Sequence, residues 1–363
     1  MQIQAAIAKR PGADFEIEPL ELTEPRDDEI LVRIKAVGLC HTDLGVRDNP
    51  VLPLPAVLGH EGAGVVEKVG AAVAKVAPGD RVLISFRSCG VCAKCRASEP
   101  AYCAQLLPMN FGGARLDGAS SFVGGGVASN FFGQSSFATF ALTYERNLVK
   151  LPPETPFAVA APLACGVQTG AGSILRALNC PPGSSVAVIG GGTVGLSAVM
   201  AAKARGCAPI ILIEPLESRR TLALELGATH AIDPFAGEIA PAVRAIAPAG
   251  MDFVLEASGA LAAAQAAFGY MATRGVLGLV GVPPGGSQLH VPLDLAITFG
   301  LSVRGVIEGD SDPETFIPEL FALHKAGRLP FDRLITTFPF DRINAAVAAQ
   351  KAGRVVKVVL LMD

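Results

Sequence analysis

Residues 184–206 read SSVAVIGGGTVGLSAVMAAKARG. A short apolar run, a glycine turn and a helix-compatible stretch follow one another without a break. This order restricts the fold more than any other feature of the chain. Gly190, Gly192 and Gly195 fit the spacing G-x-G-x-x-G. In a chain with 40 glycines the spacing alone says little. Here it follows a strand and opens a helix, which is the context the pattern requires. The missing side chains let backbone N–H groups approach a pyrophosphate at the helix N-terminus. A plain glycine-rich turn is the bland alternative. The rhythm then continues with PIILIE (209–214) as a strand, LESRRTLALELG (216–227) as a helix and HAID (230–233) as a strand. MDFVLEAS (251–258) and GVLGLVGV (275–282) are further strands with an Ala-rich helix between them. Such alternation predicts a parallel sheet with helices on both faces.

Glu214 lies 24 residues after Gly190, at the end of the next strand. A carboxylate there can accept hydrogen bonds from both ribose hydroxyls of an adenosine and would repel a 2′-phosphate. The expected cofactor is therefore NAD rather than NADP. Arg219 and Arg220, one turn into the following helix, soften that preference.

The flanking sequence differs in character. IQAAIAK (3–9), EILVRIKAVGLC (29–40), GAGVVEKVG (62–70) and DRVLISF (80–86) are short strand candidates set apart by Pro and Gly. Phe111–Gly133, rich in Gly, Ser and Phe, reads as a loop or lid. After Val306 the pattern is mixed again and ends in the strand RVVKVVLL (354–361). The simplest organisation is a β-rich domain, residues 1–165 plus 307–363, interrupted by an α/β domain at 166–306. Length supports two domains, and 17% charged residues argue against disorder. A net charge of −3 gives no electrostatic case for nucleic acid or an anionic membrane as a partner. No apolar run approaches the roughly 20 residues of a membrane span. No basic segment precedes an apolar one at the N-terminus, so no signal peptide is expected. These features predict a soluble, cytoplasmic protein.

Residues 88–103 read SCGVCAKCRASEPAYC, placing four of the eight cysteines, Cys89, Cys92, Cys95 and Cys103, in one short stretch. In a reducing compartment such a cluster points to a metal rather than to disulfides. Short spacers let a tight loop (about 88–104) wrap one zinc ion with four thiolates. Four protein ligands close the coordination shell, so this zinc is expected to be structural. An iron–sulfur cluster also uses four thiolates and is the main rival. A CxxC redox pair normally stands alone near a βαβ start, which Cys92 and Cys95 do not.

A second metal site is suggested by GLCHTDLG (38–45), LGHEGAGVV (58–66) and APLACGVQTG (161–170). Cys40, His60 and Cys165 would form a Cys2His set with a fourth position open, the pattern of a catalytic zinc. The bland reading is a core histidine and two buried thiols. Gly59 and Gly62 flank His60-Glu61, as expected where backbone passes close to a metal. Asp43 is placed to hold the second nitrogen of a ligand imidazole. Glu61 would serve behind the ligands or as a transient fourth one.

The GHE segment, the cysteine lobe, the CHTD segment and the GGGTVG fingerprint together resemble the zinc-dependent medium-chain alcohol dehydrogenases, over essentially the whole chain. NFGGARLDG (110–118) and NFFGQSSFATFALTYERNLVKLP (130–152) resemble the aryl-alcohol, or benzyl-alcohol, subgroup. Relatives of that subgroup also take allylic terpene alcohols such as geraniol or perillyl alcohol. The resemblance implies a β-rich GroES-like catalytic domain with an inserted Rossmann domain. It also implies NAD and two zinc ions per subunit, one catalytic at Cys40, His60 and Cys165 and one structural. It assigns Thr42 to passing on the substrate proton, and His41 and Lys357 to the cofactor pyrophosphate. Ser85 and Phe86 match positions near the substrate, and Asn110, Phe111, Phe131 and Phe132 are candidates for an apolar wall, though any single Phe is as readily core. Many members carry a histidine at the place of Gly45, so the proton must leave by another route, through His41 or directly to solvent; Arg47 is another basic group nearby. The implied reaction interconverts primary aromatic or allylic alcohols and aldehydes. The rivals are a zinc-free NADPH-dependent enone or quinone reductase and an inactive NAD- and zinc-binding homologue. Cofactor domains of this family pair through an edge strand, so LSVRGVI (301–307) is the expected seam of a homodimer or homotetramer.

Overall fold

The computed structural model describes residues 1–362. The chain groups into two compact units: residues 1–165, 312–318 and 332 onward form one, and 166–311 with 319–331 form the other. The first unit opens with β1 (Gln2–Ala8), β2 (Glu16–Glu21), β3 (Glu29–Leu39), β4 (Ala56–Val57), β5 (Gly62–Val69), β6 (Arg81–Ile84), β7 (Phe140–Tyr144) and β8 (Leu148–Lys150). The second contributes β9 (Val186–Ile189), β10 (Ile210–Ile213), β11 (His230–Ile232), β12 (Met251–Glu256), β13 (Met271–Leu279) and β14 (Ser302–Gly305). The chain then returns to the first with β15 (Ile335–Pro339) and β16 (Lys357–Leu361). The expected return at residue 307 differs from the structure. Residues 307–311 and 319–331 stay with the second unit because Glu308 Oε2 accepts from Gln168 Nε2 at 3.1 Å and Arg176 pairs with Glu319.

In the second unit six parallel strands run in the order β11-β10-β9-β12-β13-β14. The strands β9 and β10 are VAVI and IILI, buried at every position, as a sheet covered on both faces requires. Strand order reverses at β9, so the carboxyl ends of β9 and β12 form the switch point where such sheets bind ligands. The fingerprint sits there. Gly190 closes β9 with φ +98°, and the helix Thr193–Arg205 starts from Gly192. A Cβ on Gly195 would lie 1.8 Å from the Gly190 carbonyl oxygen. We therefore expect Gly195→Val to cost about 3 kcal/mol of stability and to abolish cofactor binding. The midpoint of denaturant unfolding and a nicotinamide-fluorescence titration check both effects.

In the first unit a mixed sheet runs β15-β16-β3-β5-β6-β8, with β7 also on β3. A separate three-stranded sheet joins β2, β1 and β4. Register places the functional segments at one end of the larger sheet. Val358 pairs with Leu39, Gly62 with Val37, and Gly62 with Ile84. Cys40 follows β3, His60-Glu61 precedes β5, Ser85 follows β6, and Lys357 opens β16. Four chain segments remote in sequence thus meet at one edge. No single helix among the described residues is long and apolar enough to cross a membrane.

Candidate active site

The thiols of Cys40 and Cys165, a His60 ring nitrogen and a Glu61 carboxylate oxygen all lie within 4.8 Å of one another. The ring is held from behind. Asp43 Oδ1 lies 2.8 Å from His60 Nδ1, and its Oδ1 and Oδ2 also accept the backbone N–H groups of Gly59 and Cys40. The ionised carboxylate only accepts, so Nδ1 carries the proton and Nε2 presents a lone pair. That Nε2 is buried and has no hydrogen-bond partner. An unpaired acceptor in a dry pocket is costly unless something else fills its need. Two thiols and a carboxylate around it are the donor set for a borderline cation, and zinc fits.

A cation bound in this cluster would displace protons from it. A hydrogen bond with Cys165, then the His60 ring, holds the Cys40 thiol well below its usual pKa. Burial opposes the His60 imidazolium, but the Asp43 carboxylate outweighs it and raises the histidine. Burial pushes Glu61 up to about 7, against the pull of Lys357. Lys357 Nζ lies 2.5 Å from Glu61 Oε2 and donates to Leu39 O at 3.1 Å, with the residue 2% exposed. The resemblance assigned Lys357 to the cofactor pyrophosphate. In the structure its ammonium sits against Glu61, a buried carboxylate that needs a counter-charge. Gly38 makes room for that carboxylate, since a Cβ there would lie 1.8 Å from Glu61 Oε2.

Two further expectations change in reason or in role. Gly59 (φ +88°) and Gly62 were tied to a nearby metal, but an added Cβ at each would strike Phe137 and Ser136. They are glycines because segment 134–137 packs against this turn. Asn110, expected in the substrate wall, is fully buried and spends its amide on backbone, accepting from Arg87 N and donating to Arg87 O and Leu106 O. Ser85 donates to Ala164 O at 2.6 Å, which ties β6 to the residue before Cys165. Phe86 is 2% exposed. Phe111, Phe131 and Phe132 do form an aromatic cluster, and Phe132 stacks on the His60 ring at 4.4 Å between centroids.

The helix His41–Asp48 begins directly after Cys40. Thr42 Oγ1 lies 3.7 Å from Cys40 Sγ, His41 is exposed, and Gly45 is exposed with open space where a Cβ would go. Arg47 takes no part, being buried beside Phe15 and paired with Asp48.

In the cysteine lobe the four thiols of Cys89, Cys92, Cys95 and Cys103 also lie within 4.8 Å of one another, all unoxidised. Cys89 and Cys95 sulfurs are 3.9 Å apart, close to the roughly 3.7 Å edge of a tetrahedron with 2.3 Å zinc–sulfur bonds. A disulfide would need about 2.05 Å, and a cluster of several irons would spread the thiols further. Backbone N–H groups of Cys92, Cys95, Ala104 and Gln105 point at the sulfurs, and those of Ala104 and Cys95 bring the Cys92 thiol down to about 6.

At the fingerprint, Glu214 is buried, accepting from Gly191 N at 2.5 Å and Leu216 N at 2.9 Å. Arg219 lies beside Gly191, and Arg220 donates to the carbonyls of Glu214 and Pro215. Nothing approaches within 4 Å of a Cβ placed on Gly192, which leaves a cradle at the helix start for a phosphate group.

A zinc-type centre in a GroES-like unit and a dinucleotide-binding unit in the same chain together define a metal-dependent dehydrogenase. Comparison with known proteins agrees. A family model described as an alcohol dehydrogenase GroES-like domain matches residues 26–153, and one described as a zinc-binding dehydrogenase matches 193–324. The chain is 45% identical to geraniol dehydrogenase of Castellaniella defragrans over 362 residues, covering 99% of this chain and 97% of that enzyme. Among solved structures, benzyl alcohol dehydrogenase from Acinetobacter calcoaceticus superposes with a TM-score of 0.97 at 40% identity, over 100% of both chains. An alcohol dehydrogenase zinc-binding domain protein from Burkholderia ambifaria does so at 0.97 and 46%, over 100% of this chain and 99% of that one. The chain belongs to the zinc-binding alcohol dehydrogenase family.

Proposed function

We propose that this enzyme interconverts primary aromatic or allylic alcohols and their aldehydes with NAD, using a zinc ion held by Cys40, His60 and Cys165. The observation that carries the reading is the orphaned Nε2 of His60 facing two thiols, with Asp43 fixing the opposite nitrogen. Zinc bound there would supply the Lewis acidity that makes a hydroxyl more acidic, and the nicotinamide would accept the hydride. The remaining work belongs to the chain. Asp43 fixes the ring, Glu61 and Lys357 balance charge behind it, and Thr42 Oγ1 takes the substrate proton. With Gly45 in place of a basic group and Arg47 buried, that proton leaves through His41 or directly to water. The cysteine lobe would hold the second zinc ion. Both metal sets speak against a zinc-free reductase.

The substrate class rests on the named activities of the two relatives and on the Phe111–Phe131–Phe132 cluster beside His60. A panel of benzyl alcohol, geraniol and ethanol, run with NAD and with NADP on protein of measured zinc content, tests it. Benzyl alcohol and geraniol should exceed ethanol in kcat/KM. Ethanol as the best substrate would refute the class.

NAD preference rests on Glu214, whose carboxylate would oppose a 2′-phosphate; His41 would contact the pyrophosphate, as the resemblance implies. Like charges brought together cost several kcal/mol. Glu214→Ala should therefore shift the ratio of kcat/KM for NAD over NADP by about 10²-fold toward NADP. An unchanged ratio would remove Glu214 from cofactor choice.

For assembly, β14 is an edge strand exposed along its length, and Leu293, Ile297, Phe299 and Val303 around it are exposed. An apolar edge of this kind needs a cover, and a second copy paired through β14 supplies it. Val303→Asp should convert a dimer or tetramer to smaller species in analytical ultracentrifugation.

A further inference from the structure

The stretch Asn130–Ser135 passes through left-handed backbone at four of its six residues, with φ +57° at Asn130, +52° at Phe132, +63° at Gly133 and +57° at Ser135. For a residue as bulky as Phe132 this conformation is a genuine outlier, and it persists only where surrounding contacts over-determine it. Here they do. Asn147 Nδ2 donates to Phe132 O at 2.9 Å. Ser135 Oγ accepts from Phe131 N at 3.0 Å and donates to Val57 O at 2.7 Å. Asn130 accepts from Ser121 Oγ at 2.6 Å and donates to Tyr144 Oη at 3.0 Å.

The winding delivers two side chains to one place. Gln134, 2% exposed, puts Nε2 at 2.9 Å from His60 O, 3.1 Å from Ile84 O and 3.2 Å from Ser85 O. Its Oε1 accepts from Gly62 N at 3.1 Å and from Ser136 Oγ at 2.6 Å. The orientation of the amide follows from its partners, because a flipped group would set its oxygen against three carbonyls. One side chain thus grips the main chain at His60 and at Gly62 and fastens both to the end of β6. The ring of Phe132 meanwhile lies 4.4 Å from that of His60, inclined by 26°.

We infer that Gln134 is a positioning residue for the His60 metal ligand, holding the ligand's main chain from both sides while Phe132 holds its ring face. Asp43 sets the rotation of the imidazole; Gln134 sets where the imidazole is mounted. The inference rests on the reading of Cys40, His60 and Cys165 as a metal site.

The test replaces zinc with cobalt(II) in the full-length protein and follows each site's absorption bands during release to a chelator. Wild type must first show two distinguishable sites; uptake at the cysteine lobe alone would end the metal reading itself. In Gln134→Glu a carboxylate faces three carbonyls, and in Gln134→Met the donors are gone. Both should release metal from the Cys40–His60–Cys165 site about 10- to 100-fold faster, the range seen when groups behind metal ligands are removed. The bands of that site should shift, while the cysteine lobe keeps its wild-type rate. Wild-type release and unshifted bands at both sites would overturn the inference, and so would parallel acceleration at both, which marks general loosening. Should neither variant fold, Ser136→Ala removes one partner of the Gln134 amide. It should speed release from the same site alone by about threefold, and an unchanged rate would overturn the inference.

Discussion

Cys165→Ala should lower alcohol oxidation by about 10⁴-fold while the cysteine lobe keeps its zinc. The Lewis acid contributes several kcal/mol to the reaction, and a loss of about 5.5 kcal/mol is a factor of 10⁴. Cys165 is 8% exposed and belongs to the four-residue cluster with Cys40, His60 and Glu61. Alanine removes a soft, negative ligand and leaves an apolar gap, so the remaining thiol and imidazole hold the ion weakly. Atomic emission analysis should give about one zinc per chain in the variant against two in wild type. Near-normal activity with one zinc would show that the reaction runs without this site. The paired variant Cys92→Ser separates the two ions, because damage to the lobe should appear as lost stability before lost chemistry.

Thr42→Val should lower kcat/KM with benzyl alcohol by about 10³-fold, within the range for loss of a positioned proton-transfer group. Valine keeps the branched shape and removes only the hydroxyl, so packing in the helix His41–Asp48 survives. Thr42→Ser, which restores the hydroxyl, should recover activity to within about tenfold of wild type. The serine variant separates proton transfer from packing. The case rests on place: Thr42 is half-buried, its Oγ1 is 3.7 Å from the Cys40 sulfur, and neither Gly45 nor Arg47 offers a substitute. Gly45 has no side chain and Arg47 is locked to Asp48. Wild-type rates in Thr42→Val would take the hydroxyl out of the mechanism.

Much of this architecture was legible in the sequence, for reasons that differ by element. The strand–glycine–helix order at 184–206 is local, so backbone conformation and close approach at Gly190 and Gly195 can be read from spacing. The cysteine lobe is local too: four thiols within one loop point to a common centre. The proposed catalytic set is not local. Cys40, His60 and Cys165 meet only because β3, β5 and β6 pair in one register, and their spacing in the chain carries no such information. The GHE and CHTD segments made the set recognisable by resemblance instead.

What stayed hidden depends on long-range contacts. Lys357 sits in an apolar run, RVVKVVLL, and nothing there says that its ammonium meets Glu61 from β16. Asn110 resembles a pocket residue by position, yet its amide serves the backbone of Arg87. Gln134 lies in NFFGQSS, whose left-handed turns include only one glycine, so the turn chemistry that would have flagged it is absent. The return of the chain at 307 was misplaced because β14 and the segment after it look like the end of a parallel sheet. The Glu308–Gln168 contact that keeps 307–311 with the second unit joins residues 140 positions apart.

The central claim is that two thiols and one imidazole bind a catalytic zinc. Anomalous diffraction at the zinc absorption edge, on crystals of the purified protein, tests it most directly. Two peaks per chain are expected, one within the cysteine lobe and one at about 2.3 Å from the sulfurs of Cys40 and Cys165 and about 2.0–2.1 Å from His60 Nε2. A peak in the lobe alone, with active protein and an empty Cys40–His60–Cys165 site, would contradict the account.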